Sequence, residues 1–132
     1  MASAMRSAEE TLRAACAAFN ARDVEAAIEL VHPEVDWPNA WEGGRAVGRR
    51  AVADYWARQF ESIASTVDPE RFDLQPDGSI TVTVHQTVRD AETEELQSDS
   101  YVLHRYRLED GLIVRMDVLD PAGYPAERDD RS

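Results

Sequence analysis

The chain has 132 residues, 43% of them hydrophobic, enough for one core and too few for two ordinary domains, so a single domain over residues 1–132 is expected, with its core over about 7–120. Its formal charge is −12, from 26 acidic residues against 14 basic ones, every basic one an arginine; such an anionic surface repels phosphate backbones and acidic lipid faces, which makes nucleic acid and membranes poor partners. Cys16 has no second cysteine to pair with, and no run approaches the roughly 18 apolar residues of a membrane span, so a cytoplasmic protein is expected.

In chain order, Ser7 and Glu10 form a capping box, and Leu12, Ala15, Cys16 and Phe19 recur at helical spacing, which predicts an amphipathic helix ending near Asn20. Asp23 can cap a second helix in which Val24, Ala27, Ile28 and Val31 repeat that spacing until His32-Pro33 stops it. Glu34 to Trp37 reads as a short strand closed by Pro38, because proline offers no ladder donor. Gly43, Gly44 and Gly48 make a bend, and a third helix follows over about residues 49–64. Its inward stripe is Val52, Tyr55, Trp56, Phe60 and Ile63, with Gln59 expected at the stripe's edge. All three tryptophans, Trp37, Trp41 and Trp56, fall within this strand, bend and helix. Aromatic mass so concentrated fills a core or walls a cleft.

From Asp68 onward the period changes to two. Phe72 to Leu74, the turn Pro76-Asp77-Gly78 and the alternating run Ile80 to Val88 predict an antiparallel hairpin. Residues 90–99 are almost all polar and acidic and suit a solvated tip; their carboxylates do not converge, so no metal is expected there. The last hairpin is read with Glu109, Asp110 and Gly111 as a three-residue loop. Val102, His104, Tyr106 and Leu108 then face Val118, Met116, Val114 and Leu112, and the register puts His104 on the core face opposite Met116. The other face carries Tyr101, Leu103, Arg105, Arg107, Ile113, Arg115, Asp117 and Leu119, with Asp117 expected in ion pairs.

The order of elements in AAFNARDVEAAIELVHPEVDWP, GRRAVADYW and RYRLEDGLIVRMDV resembles the nuclear transport factor 2-like superfamily, and within it the SnoaL-like and ketosteroid isomerase-like members. The resemblance implies an α+β fold in which a curved mixed β-sheet forms a cone around about three N-terminal helices, an internal hydrophobic pocket, and a homodimer through the outer sheet face. Family members include cofactor-free isomerases, cyclases and hydrolases as well as proteins that only bind, so the fold does not specify the reaction. The isomerase carboxylate base falls on Trp37, with Asp36 beside it; the helix tyrosine falls on Ala15 or Cys16, and the late aspartate on His104. None of the three matches.

Facing along the helices and strands gives the pocket the walls Phe19, Trp37, Trp41, Tyr55, Trp56 and Phe60, with Met116 and Val118 from the last strand. The candidate catalytic groups are His104 and Tyr106, with Asp36 at the strand end. An imidazole in such a pocket is expected to stay neutral and to exchange a proton near neutral pH, although a histidine simply hydrogen-bonded in a core fits the same pattern. Metal ligands and cofactors are not expected, since His32 and His85 do not fall beside His104. The tail, residues 120–132, brings Tyr124, a candidate lid. Two classes of function stay open: a cofactor-free isomerase or cyclase acting on a small hydrophobic or polycyclic molecule, and a module that binds without turnover.

Overall fold

The computed structural model describes residues 2–39 and 43–119, with side chains from Ala8 onward. Three helices, α1 (Ala2–Asn20), α2 (Val24–Ile28) and α3 (Arg49–Ser62), accompany six strands: β1 (Val31–Pro38), β2 (Arg45–Val47), β3 (Ile63–Leu74), β4 (Ile80–Asp90), β5 (Leu96–Glu109) and β6 (Leu112–Leu119). The strands form one curved, open sheet in the order β2-β1-β6-β5-β4-β3, antiparallel except for the parallel pair β1 and β6. The expected α+β architecture, helices against a curved mixed sheet, is the one found.

The helices begin and end where local chemistry dictates. α1 starts before Ser7, which is therefore an interior helical residue rather than the cap. Its inward stripe buries Leu12 and Cys16, and Asn20 locks its end to β3 with two 2.8 Å bonds, donating to the Val67 carbonyl and accepting from the Val67 amide. Asp23 caps α2 as expected, accepting from the Ala26 amide at 3.1 Å. α2 ends at Ile28, however, and Val31 opens β1. The strand wins because the Ile113 amide donates to the Leu30 carbonyl, docking this segment on β6, where Val31 is buried beside Ile113. Pro33 sits within the irregular stretch between the two points at which β1 meets β6, so no ladder donor is lost.

The glycine-rich bend contains β2, a three-residue strand absent from the expectation. Gly48 ends it at φ 93°, donates its amide to the Val35 carbonyl at 2.7 Å and starts α3. β3 is also longer than expected: α3 ends at Ser62, and Ile63, expected on its inward stripe, has extended backbone, opens β3 and is not part of the core.

The β5–β6 hairpin differs instructively from its expected register. Its loop has two residues, Asp110 and Gly111, both at positive φ (55° and 80°), with Glu109 paired to Leu112; this is the primed turn whose twist matches the strands. Pairing then moves from Leu108 opposite Ile113 to Arg107 opposite Arg115, leaving Val114 as the extra residue of a bulge. The bulge turns Ile113 inward, so that it is fully buried instead of lying on the outer face, and keeps Met116 and Val118 inward. Tyr106 consequently pairs with Met116, and His104 with Val118 rather than Met116. A slip of two residues preserves the facing, so His104 is on the core side as expected.

Leu12, Val35, Val52, Val84 and Ile113 are among the best-buried members of the core between helices and sheet. On the outer face, Asp117 accepts from Arg45, Arg105 and Arg115 at 2.9 to 3.3 Å, so the expected ion pairing is present. Asp36 joins the same network through Arg45 and Arg115.

Candidate functional site

The core does not close completely. Between the helices and the concave face of the sheet lies a cavity of about 180 Å³. α1 contributes Ala15, Cys16 and Phe19 to its wall, and α3 contributes Tyr55, Trp56 and Gln59. β1 supplies Val31, Trp37 and Pro38; β6 supplies Ile113, Met116 and Val118. The remaining wall comes from Val67 on β3, Gln86 on β4, and Val102, His104 and Tyr106 on β5. No arginine, aspartate or glutamate is among these residues.

Aromatic rings set the wall's shape. Trp37 stands edge-on to Trp56 at a centroid distance of 5.1 Å, and Phe19 meets Trp56 at 6.1 Å and Phe60 at 5.0 Å. These edge-to-face contacts fix ring orientations that a sliding aliphatic core would not. Phe60 is thus a support behind Phe19, stacked also under the Arg22 guanidinium, and is not itself among the lining residues. Trp41 and Tyr124 lie outside the described residues. Gln59, expected at the stripe's edge, lines the cavity, and so do Cys16 and Gln86, which were not among the expected walls. Strand alternation had already put Gln86 on the same face as Val82 and Val84, a signal that could have found it.

His104 and Tyr106, two apart on β5, bring the deepest polar groups into the cavity. Burial without a charged neighbour pulls the imidazole pKa from 6.5 down to about 4, so the ring is neutral at physiological pH and does not titrate near neutrality as the sequence had suggested. Burial, with a smaller contribution from Cys16, pushes the Tyr106 phenol well above its usual value. The Tyr106 hydroxyl lies 3.5 Å from Nδ1 of His104, at the outer limit of a hydrogen bond. Cys16 is pushed up to about 11 by burial, so it lines the wall as a thiol and not as a nucleophilic thiolate. The Trp56 indole N–H is buried and has no hydrogen-bond partner among the described residues. Asp36 lies on the opposite face of β1, held by Arg45 and Arg115, and is not among the lining residues.

The described residues contain no group of three or more His, Cys, Asp or Glu side chains placed to hold a metal ion. No helix among them is long and apolar enough to cross a membrane.

Residues 12–116 match the family model of the SnoaL-like domain. The chain belongs to that family. Among solved structures, this SnoaL-like domain is similar to TerC co-crystallised with polyporic acid, with a TM-score of 0.73 and 21% identity over 88% of this chain and 92% of that one. It is also similar to a Mycobacterium tuberculosis protein in complex with estradiol-17β-hemisuccinate, at TM-score 0.72 and 18% identity over 85% and 92% of the two chains. A third likeness, to a putative polyketide cyclase from Sinorhizobium meliloti, has TM-score 0.68 and 17% identity over 83% and 93%. At such identities these likenesses establish the fold alone. No curated protein matches the SnoaL-like chain.

Proposed function

We propose that this SnoaL-like domain binds a small, uncharged hydrophobic or polycyclic molecule in the cavity, with His104 as its deep polar contact. The observation that carries the reading is the pairing of an aromatic-walled cavity with a neutral, buried imidazole whose Nε2 has no partner among the described residues. A charged ligand would lose its hydration with no opposite charge to replace it. Relatives of the same fold crystallised with polyporic acid and with estradiol-17β-hemisuccinate support a cyclic occupant; the acidic groups of those two ligands have no counterpart charge in this lining.

The chemistry that His104 suits is donation of a hydrogen bond. In this proposal the Tyr106 phenol, protonated at all ordinary pH, is the donor to Nδ1, which leaves the ring proton on Nε2. Nε2–H then points its positive end at a ligand carbonyl or hydroxyl and stabilises negative charge developing there, as an enolising isomerase or cyclase requires. Protonating the ring at pH 7 would cost about 4 kcal/mol, given a pKa of about 4, so His104 polarises the ligand and does not store its proton. The second reading, binding without turnover, is favoured by the absence of any carboxylate from the lining, since no strong base faces the ligand. We further propose a cytoplasmic protein that forms a homodimer through the outer sheet face, where Asp36 and Asp117 tie three arginines into a mixed polar surface.

The experiment pairs thermal shift with product analysis. A panel of quinones, steroids, polyketide aromatics and terpenoid epoxides is screened against the wild type and against His104→Ala. The enzyme reading expects one class to raise the melting temperature and be converted, with conversion lost in a folded His104→Ala protein. Stabilisation without conversion selects the binding module, and no stabilisation by any class would contradict ligand binding.

A further inference from the structure

The cavity wall is polar at both ends, and the two ends differ in exposure. At the inner end His104 and Tyr106 are buried, with Cys16 beside them. At the outer end Gln59 and Gln86 are only half-buried. Between the two ends the lining is aromatic and aliphatic.

The protein engages the glutamines only in part. Gln86 donates its amide nitrogen to Ser65 Oγ at 3.3 Å, and Ser65 is fully buried. That contact fixes the direction of the amide and leaves its carbonyl oxygen with no donor among the described residues. The Gln59 side-chain amide has no hydrogen-bond partner among the described residues. Polar groups that line a cavity without partners need water or a ligand to satisfy them.

Strand pairing gives the spacing. Val82 is opposite His104, and Gln86 is four residues further along β4, so the two polar levels are separated by about 13 Å of strand at roughly 3.3 Å per residue. Side chains leaning inward shorten the gap that a ligand must bridge. No charge is available at either end of the lining.

We propose that the ligand is a rigid, elongated, uncharged molecule with an oxygen function at each end, its inner oxygen accepting from His104 and its outer hydroxyl donating to the Gln86 carbonyl and exchanging a hydrogen bond with Gln59. This rests on the ligand-binding reading above and narrows it: a purely hydrophobic occupant, or one with a single polar end, makes no use of the half-exposed glutamines and leaves them to water. The glutamine pair is a specificity element, since it touches the end of the ligand remote from His104.

The test uses three probes of one shape: biphenyl, biphenyl with one para hydroxyl, and biphenyl with a para hydroxyl at both ends. Quenching of tryptophan fluorescence reads binding, because Trp37 and Trp56 line the cavity. The expected result is affinity at least tenfold higher for the two-ended probe than for the one-ended probe. Gln86→Leu and Gln59→Leu should each lower the affinity for the two-ended probe severalfold toward that of the one-ended probe, in proteins whose circular dichroism matches the wild type. Equal affinity for one-ended and two-ended probes would overturn this inference and leave the cavity reading standing. If all three probes fail to bind a folded wild type, both readings fall. Should one glutamine variant not fold, the other variant and the wild-type probe comparison still decide the matter.

Discussion

Acid should weaken this protein through His104 by a predictable amount. In the unfolded chain the imidazole has its ordinary pKa of 6.5, and in the fold burial holds it at about 4. Because the folded value is the lower one, the unfolded state binds the proton first, and stability falls as pH drops from 6.5 toward 4, then levels off. The full loss is about 3 kcal/mol, at about 1.4 kcal/mol per pH unit inside the window. Neither Cys16 nor Tyr106, its neighbours in the cavity, titrates in that range, since burial raises both. His85 has the opposite sign: its hydrogen bond to Asp99 raises its pKa, so its contribution is present at low pH and is lost as pH rises through the folded value. The assay is urea unfolding followed by tryptophan fluorescence at half-unit pH steps from 7 to 4, on the wild type and on His104→Gln. Subtracting the two curves removes His32, His85 and the carboxylates. A difference that changes by about 3 kcal/mol over the window fits a buried, neutral His104; a flat difference would refute it.

Other expectations follow from the same contacts. Asp117→Ala removes the carboxylate shared by Arg45, Arg105 and Arg115 and should cost about 2 kcal/mol in urea unfolding, because Arg105 loses its counter-ion while Arg45 and Arg115 keep only Asp36. Burial opposes ionisation of Asp117, but the bonds and charges of Arg115, Arg45 and Arg105 prevail and lower its pKa. Its support is therefore present above the ordinary carboxylate value and fades only as pH falls below it. Gly111→Val, at φ 80° in the β5–β6 turn, should cost about 1 to 2 kcal/mol, with thermal melting as the readout. Asp110→Gly, at φ 55°, should be neutral or slightly stabilising.

What the sequence disclosed and withheld has physical reasons. The inward faces of α1 and α3 were legible because buried residues recur every three or four positions, and those of β4 and β5 because they alternate. His104 was placed on the core side from a register that was two residues out, since facing depends only on parity. Ile113 was misplaced because a bulge at Val114 breaks that parity, and a bulge leaves no mark in a run of apolar residues. β2 went unseen because Arg-Ala-Val between glycines carries too short a pattern, and its pairing with Asp36, Trp37 and Pro38 is nonlocal. Val31 satisfied both the helical spacing of α2 and the inward position on β1, and the contact with β6 decided between them. In the candidate site the aromatic wall was readable, whereas Cys16 and Gln86 were not among the expected walls: one looked like ordinary helix packing, and the other like one more position of an alternating strand.

The central claim is that the cavity admits a ligand, and a cavity-filling variant tests it most directly. Ala15 lies on the cavity wall, half-buried on α1, so Ala15→Phe puts a ring into the space a ligand would take. Fluorescence titration of wild type and variant with the two-ended biphenyl should give saturable quenching for the wild type and at least a tenfold weaker response for a folded Ala15→Phe protein. Equal quenching of both proteins would place the ligand elsewhere and contradict the account.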